Sequence, residues 1–397
     1  MRTSIISIVC LTAALGAAAP AAAADLTPVA SFGDNPGALA MYEYVPDGLP
    51  AGRPVVVVLH GCTQTAADAV RAGWNTVADQ LGFTVVYAEQ STANNPLRCF
   101  NWAGEYGDLA NLTRGQGENA SIMAMIDHAL AAHDGDPARV YVTGFSAGGA
   151  FAAVMLATWP DRLAGGAILS GVPYRCATDV NGAYACQALS QHPERDLEPA
   201  AWATLVEQGS GGWTGPWPRV AIWHGSTDTT VDPAAARESM EQWTAVHGVT
   251  AAPEVETVGD ASHEVYRVGG VPVVERWTVT GMGHAIVVGG ADPDGGCTAA
   301  AAYYEDHGLC STWRIARFWG LTGDDPVSGD GGGVGGGPDG GAGAGGDDDD
   351  GGVGGCGCGA GPRGGDAGVL LAVVTLLALR RSARRGRSCR SRSAAAR

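Results

Sequence analysis

Short, wholly apolar runs alternate with amphipathic stretches along most of this chain. The run Pro54-Val55-Val56-Val57-Val58-Leu59-His60-Gly61 has no polar position until its end. Strands buried on both faces read this way, because helices cover both sides of a parallel sheet. Residues 83–88, 139–144, 163–169, 219–223 and 273–279 repeat the pattern. Between these strands, residues 66–81, 120–132, 147–158 and 237–246 read as helices. Ile122, Met125, Ile126 and Ala129 share one helical face. A last helix over 312–321 spaces Ile315, Phe318 and Trp319 at i, i+3 and i+4 and is expected to dock on the core. Strands alternating with helices predict an α/β fold, a mainly parallel central sheet with helices on both faces. Ligands of such sheets sit beyond the carboxyl ends of the strands.

The pattern fails at both ends. Met1 and Arg2 precede an apolar run over residues 5–15, and Ala22-Ala23-Ala24 stand before Asp25. A positive start, an apolar centre and a small-residue site predict a secretory signal peptide over 1–24. From Asp324 to residue 368, Gly and Asp dominate, including Asp347-Asp348-Asp349-Asp350. Such a stretch buries too little apolar surface to offset its ordering entropy, so a disordered linker is expected. Gly355-Cys356-Gly357-Cys358-Gly359 follows, then an apolar run over 369–379 and eight arginines from Arg380 to Arg397. The order of linker, Cys motif, apolar run and Arg cluster resembles a C-terminal sorting signal of the MYXO-CTERM type. That resemblance implies processing at the Cys motif and display on the cell surface. The segment 369–397 then acts as a membrane or cell-surface tether, its arginines on the cytoplasmic side. Residues 25–323 remain as one folded domain.

Charge and cysteines narrow the class. All 24 basic residues are Arg, and the net charge is −17. Nucleic acid is excluded as a partner, because phosphate binding needs a basic face. No stretch reaches about 18 consecutive apolar residues, which argues against a polytopic helical membrane protein. Six cysteines fall in the folded part: Cys62, Cys99, Cys176, Cys186, Cys297 and Cys310. An even number in an exported chain suggests disulfides. Cys176–Cys186 and Cys297–Cys310 are close in sequence, so local pairing is cheapest, and Cys62–Cys99 is left. No C-x-x-C spacing or His cluster accompanies them, so no metal is expected. No cofactor is implied.

Gly144-Phe145-Ser146-Ala147-Gly148 is G-x-S-x-G, directly after a predicted strand and directly before a predicted helix. In that context the motif is a nucleophile elbow. A serine hydroxyl needs a base within hydrogen-bond reach, and the base needs an acid to fix its tautomer. In this fold the order is Ser, then acid, then His. Asp228 lies just beyond the strand ending Ile222-Trp223-His224, with Asp232 as its rival. His284, in the turn Gly281-Met282-Gly283-His284, is preferred to His263 and His307. The spacing of Ser146, Asp228 and His284 suits an α/β-hydrolase. The developing oxyanion needs backbone donors. One is expected from Ala147 and the other from Cys62, with Thr63 as runner-up. A Cys62–Cys99 bridge would hold that donor rigid. His60 reads as a buried imidazole bonding nearby backbone. Trp202, Trp213 and Trp217 either line an acyl or polymer groove or form a cap packed on the core.

These residues resemble the polyhydroxybutyrate (PHB) depolymerase family of esterases, which includes feruloyl and acetylxylan esterases. The matching stretches are 59–64, Cys99-Phe100-Asn101-Trp102, Arg114-Gly115-Gln116-Gly117-Glu118, 144–149, Pro173-Tyr174-Arg175-Cys176, 223–233 and 281–284. The resemblance implies Ser146 as nucleophile, Asp228 as acid and His284 as base. It also implies that Cys62 and Cys99 pair near the site and that Trp102 lies near it. Many secreted members resemble a catalytic domain, a linker and a polymer-binding domain, whereas here the linker leads to the sorting tail. The expected function is a secreted serine esterase acting on PHB or hydroxyalkanoate oligomers. The alternatives are a feruloyl or acetylxylan esterase on plant polysaccharide and, more remotely, a non-catalytic surface adhesin.

Overall fold

The computed structural model describes residues 26–104, 109–290 and 297–323. The leader, the linker and the tail lie outside the described residues. In chain order the first half comprises β1 (Thr27–Val29), β2 (Ala40–Tyr44), β3 (Val55–Leu59), α1 (Ala66–Ala69), α2 (Trp74–Leu81), β4 (Thr84–Glu89), α3 (Gly117–Ala132), β5 (Val140–Phe145), α4 (Ala147–Thr158) and β6 (Gly165–Leu169). The second half adds α5 (Val180–Gln187), α6 (Pro199–Gly209), β7 (Arg219–Gly225), α7 (Ala234–Val246), β8 (Glu254–Val258), β9 (Ala261–Val268), β10 (Val271–Val279), β11 (Ile286–Val288), β12 (Tyr304–Asp306) and α8 (Ser311–Phe318).

One sheet runs in the order β1-β2-β4-β3-β5-β6-β7-β10-β9-β8, and β11 and β12 form a small second sheet. The central six, β4-β3-β5-β6-β7-β10, pair in parallel. These are the six strands that the apolar runs predict. The flanking strands β1, β2, β8 and β9 pair antiparallel and were not expected. Their side chains are only partly covered, β8 being exposed along most of its length. A strand with one wet face carries charged residues and loses the continuous apolar signature.

Alternate side chains of each central strand feed two cores. Val55, Val57 and Leu59 pack with Ile122, Ile126, Phe151 and Met155. Val56 and Val58 point the other way, toward Trp74, Val77, Ile315 and Trp319. The docking expected of the last helix is seen in Trp319, stacked on Tyr141 at 4.8 Å and on Trp74 at 5.6 Å between ring centroids. One predicted helix is interrupted. Residues 66–81 break at Gly73, whose φ of 91° ends a 3₁₀ turn and starts α2. The excursion after β6 contains α5 and α6.

The register aligns the strand ends. Leu59 pairs with Gly144, Gly144 with Ile168, and Leu169 with Trp223. Helix α4 is buried over its whole length against that edge. A Cβ on Gly148 would fall 2.2 Å from the Leu59 carbonyl oxygen, and one on Gly144 would fall 2.3 Å from the Gly148 backbone. These are main-chain contacts, which cannot rotate away. Gly148→Ala is expected to cost about 2–3 kcal/mol by overpacking. Urea unfolding checks this, and an unchanged midpoint would refute the close approach.

Candidate active site

From Val140 to Thr158 every residue is buried except Ser146. Its backbone has φ 55° and ψ −120°, a conformation that L-residues avoid. Two constraints hold it there. The Ser146 N–H donates to the Leu169 carbonyl at 2.9 Å, and the glycine contacts fix α4 against β3 and β5. The turn therefore lifts one hydroxyl out of a closed core at the carboxyl edge of the sheet.

The loops after β7 and β10 are laced together. Thr227 donates through its N–H to the Met282 carbonyl at 3.0 Å, and Gly281 N–H donates to Ser226 Oγ at 2.9 Å. This brings His284 Nδ1 to 2.7 Å from Asp228 Oδ2. The other carboxylate oxygen, Oδ1, accepts from the N–H groups of Thr230 and Val231 at 2.8 and 2.9 Å. Burial works against the Asp228 charge. Hydrogen bonds from His224 and His284 outweigh it and hold the carboxyl well below the usual carboxylate range. An ionised Asp228 on Nδ1 requires the proton there, leaving Nε2 as the free base. The imidazole of His284 packs on Phe145, the residue before Ser146, with centroids 4.8 Å apart.

The rival residues stand elsewhere. Asp232 accepts from Ser190 Oγ and N–H and from Ala234 N–H, fastening the excursion to the start of α7. His263 lies between Glu256 and Glu275. His307 lies between Asp260 and Glu305.

The two oxyanion candidates among the loop amides differ in availability. The Thr63 N–H is taken by the Leu97 carbonyl at 2.6 Å. Among the described residues, neither Cys62 nor Ala147 has an acceptor for its N–H. The Cys62–Cys99 disulfide joins the first loop to the segment after β4, and Cys176–Cys186 and Cys297–Cys310 are bonded as well. His60 is buried, with Nδ1 2.7 Å from the Gly61 carbonyl and Nε2 accepting from Gln90 N–H at 3.0 Å. Trp102 is buried in the core, two residues beyond Phe100, which packs on His60 at 5.0 Å.

Sequence reasoning missed two residues. His224 adds a second imidazole on Asp228 Oδ2 at 3.3 Å. Glu118, buried at the start of α3, accepts from Gln90 Nε2 at 2.7 Å, from Asn101 N–H at 2.9 Å and from Asn101 Nδ2. It organises the segment that carries Cys99. Its place in Arg114-Gly115-Gln116-Gly117-Glu118 was the available signal. Trp202 is core, its Nε1 donating to Glu238 at 2.8 Å, so the groove reading fails for it. Trp213 folds over Gly215 and donates to the Pro216 carbonyl. Among the described residues, Asp196, Glu238 and Glu241 have metal-ligand spacing, but Arg237 pairs with all three.

A lifted serine, a His–Asp pair and two loop amides without acceptors among the described residues, set on a mainly parallel sheet, are the arrangement of an α/β-hydrolase. The chain belongs to the Esterase PHB depolymerase family, whose profile matches residues 39–267. It is 48% identical over 303 residues to poly(3-hydroxyalkanoate) depolymerase C of Paucimonas lemoignei, covering 75% of this chain and 70% of that protein. It is 35% identical to feruloyl esterase B of Thermothelomyces thermophilus, covering 68% and 92%. Acetyl xylan esterase from Aspergillus awamori superposes with a TM-score of 0.58 at 27% identity, covering 75% of this chain and 99% of that one.

Burial lowers the pKa of His60 and of His247 from 6.5 to about 4. Both are neutral when folded, whereas the unfolded chain protonates them near 6.5. The unfolded state thus binds more protons between those values, and stability falls as pH drops through that window. Urea unfolding between about pH 7 and about pH 4 is expected to show the loss. The double variant His60→Gln/His247→Gln should flatten the slope; an unchanged slope would remove these imidazoles from the account.

Proposed function

We propose that the protein hydrolyses the main-chain esters of poly(3-hydroxyalkanoate) or its oligomers through an acyl-enzyme on Ser146. The observation that carries this reading is the 48% identity to a poly(3-hydroxyalkanoate) depolymerase across 303 residues. His284 Nε2 takes the Ser146 proton as Oγ attacks the ester carbonyl. The oxyanion is received by the N–H groups of Cys62 and Ala147, which need no reorganisation. The tetrahedral intermediate collapses, His284 returns the proton to the leaving alcohol, and the hydroxyl end of the next unit departs. Water, deprotonated by His284, then releases the acid. Asp228 remains a carboxylate throughout and stabilises the imidazolium. The acetyl xylan esterase superposition favours a second reading, an ester carried on xylan.

Three disulfides support an oxidising, exported compartment for the domain. The leader over 1–24 and the tail over 369–397 extend this reading to secretion with tethering at the cell surface.

The purified, oxidised protein is expected to release 3-hydroxybutyrate from a PHB suspension. Ser146→Ala should lower turnover of PHB and of a chromogenic acetate by at least about 10³-fold. Chromogenic turnover without PHB release would move the substrate toward soluble oligomers or xylan esters. An active Ser146→Ala variant, or no turnover by the folded wild type, would refute the mechanism.

A further inference from the structure

Tyr303 is an exposed aromatic on the rim of this site. The residue is 41% exposed, while the adjacent Tyr304 is buried and donates its hydroxyl to the Asp68 carbonyl at 2.6 Å. Ala301 and Tyr304 exchange backbone hydrogen bonds of 2.9 and 3.0 Å, closing a tight turn over Ala302 and Tyr303. Tyr303 has φ 66°, and Ala302 is not among the positive-φ residues. A turn with positive φ at its third position asks for Gly there, because a Cβ is strained. This chain places a tyrosine at that position. Such residues persist where the surroundings over-determine them, and they gather at functional sites.

The turn is fastened at the site. The Ile286 N–H donates to the Tyr303 carbonyl at 2.8 Å, two residues from His284. The Cys297–Cys310 bridge encloses the segment, and Thr298 Oγ1 donates to the Arg71 carbonyl. The Tyr303 ring stands 6.2 Å from that of Phe145, and Phe145 is the residue that both precedes Ser146 and packs on His284. Tyr303 is thus held next to Phe145, which packs on His284, and remains partly open to solvent.

We propose that Tyr303 is a substrate-contacting residue whose ring, beside Phe145, forms an apolar platform for the hydrocarbon part of the hydroxyalkanoate unit esterified at Ser146. The inference rests on the assignment of Ser146 and His284 made above. A small acetyl ester does not reach the platform, whereas a methyl-branched oligomer lies across it. The contact therefore bears on the ratio of oligomer to acetate turnover.

The test uses the oxidised full chain and its Tyr303→Gly and Tyr303→Phe variants. The probes are the methyl ester of the 3-hydroxybutyrate trimer, p-nitrophenyl acetate and acetylated xylan. Tyr303→Gly should lower the trimer-to-acetate ratio of kcat/KM about tenfold, the size of an aromatic contact. Its Tm should be no lower than wild type, because Gly relieves the turn. Tyr303→Phe should restore the ratio to within about twofold, since the ring and not the hydroxyl makes the contact. An unchanged ratio in Tyr303→Gly, or a loss that tracks a lowered Tm, would overturn the proposal. A loss confined to acetylated xylan would overturn the substrate class, making the ring a sugar platform. Turnover by Ser146→Ala close to the wild-type rate is a separate result that removes the site assignment beneath the proposal.

Discussion

Everything in this molecule depends on how closely α4 approaches the ends of β3 and β5. Two main chains meet at Gly148 with no room for a methyl group. That contact forces Ser146 into a left-handed conformation costing on the order of 1–3 kcal/mol. Helix α4 is buried throughout, including Phe151, Val154, Met155 and Leu156. Burying each such side chain stabilises by roughly 1.5–3 kcal/mol. Packing outweighs the strain several times over, so the strained serine is the conformation that the core imposes.

Around that fixed point, the supporting parts are tied to each other and not left to loop flexibility. The loops that carry Asp228 and His284 are cross-bonded through Ser226, Thr227, Gly281 and Met282. The proposed oxyanion loop is bonded covalently through Cys62–Cys99, and Glu118 gathers the segment behind Cys99. Donors held in place before the reaction need no rearrangement as charge develops, which is where electrostatic catalysis gains its advantage. Individual carboxylates are paired with arginines, as at Arg276–Glu264 and Arg114–Asp161.

What the sequence made legible follows burial. The six central strands were readable because both of their faces are dry, which leaves runs such as 55–59 without polar interruption. The edge strands β8 and β9 were not, because β8 is exposed along most of its length, β9 is mostly only partly covered, and both carry charged residues. Ser146 was readable because a single helix-opening motif creates its geometry. Asp228 over Asp232 rested on distance from a strand end, and the structure gives Asp232 a separate task at the start of α7. The roles of His224 and Glu118 were not legible even where Glu118 lay in a matching stretch, because their contacts come from residues brought together only by folding. Tyr303 was hidden for a related reason: a tyrosine after a run of alanines carries no local sign of a positive φ or of a neighbour at Phe145.

The central claim is that an ester carbonyl is captured on the lifted serine. Rapid quenching of the enzyme with p-nitrophenyl butyrate, followed by peptide mass spectrometry, tests it most directly. The account predicts a butyryl adduct on the peptide containing Ser146, formed in a burst and lost with turnover. An adduct on any other residue, or steady turnover with no adduct at all, would contradict it.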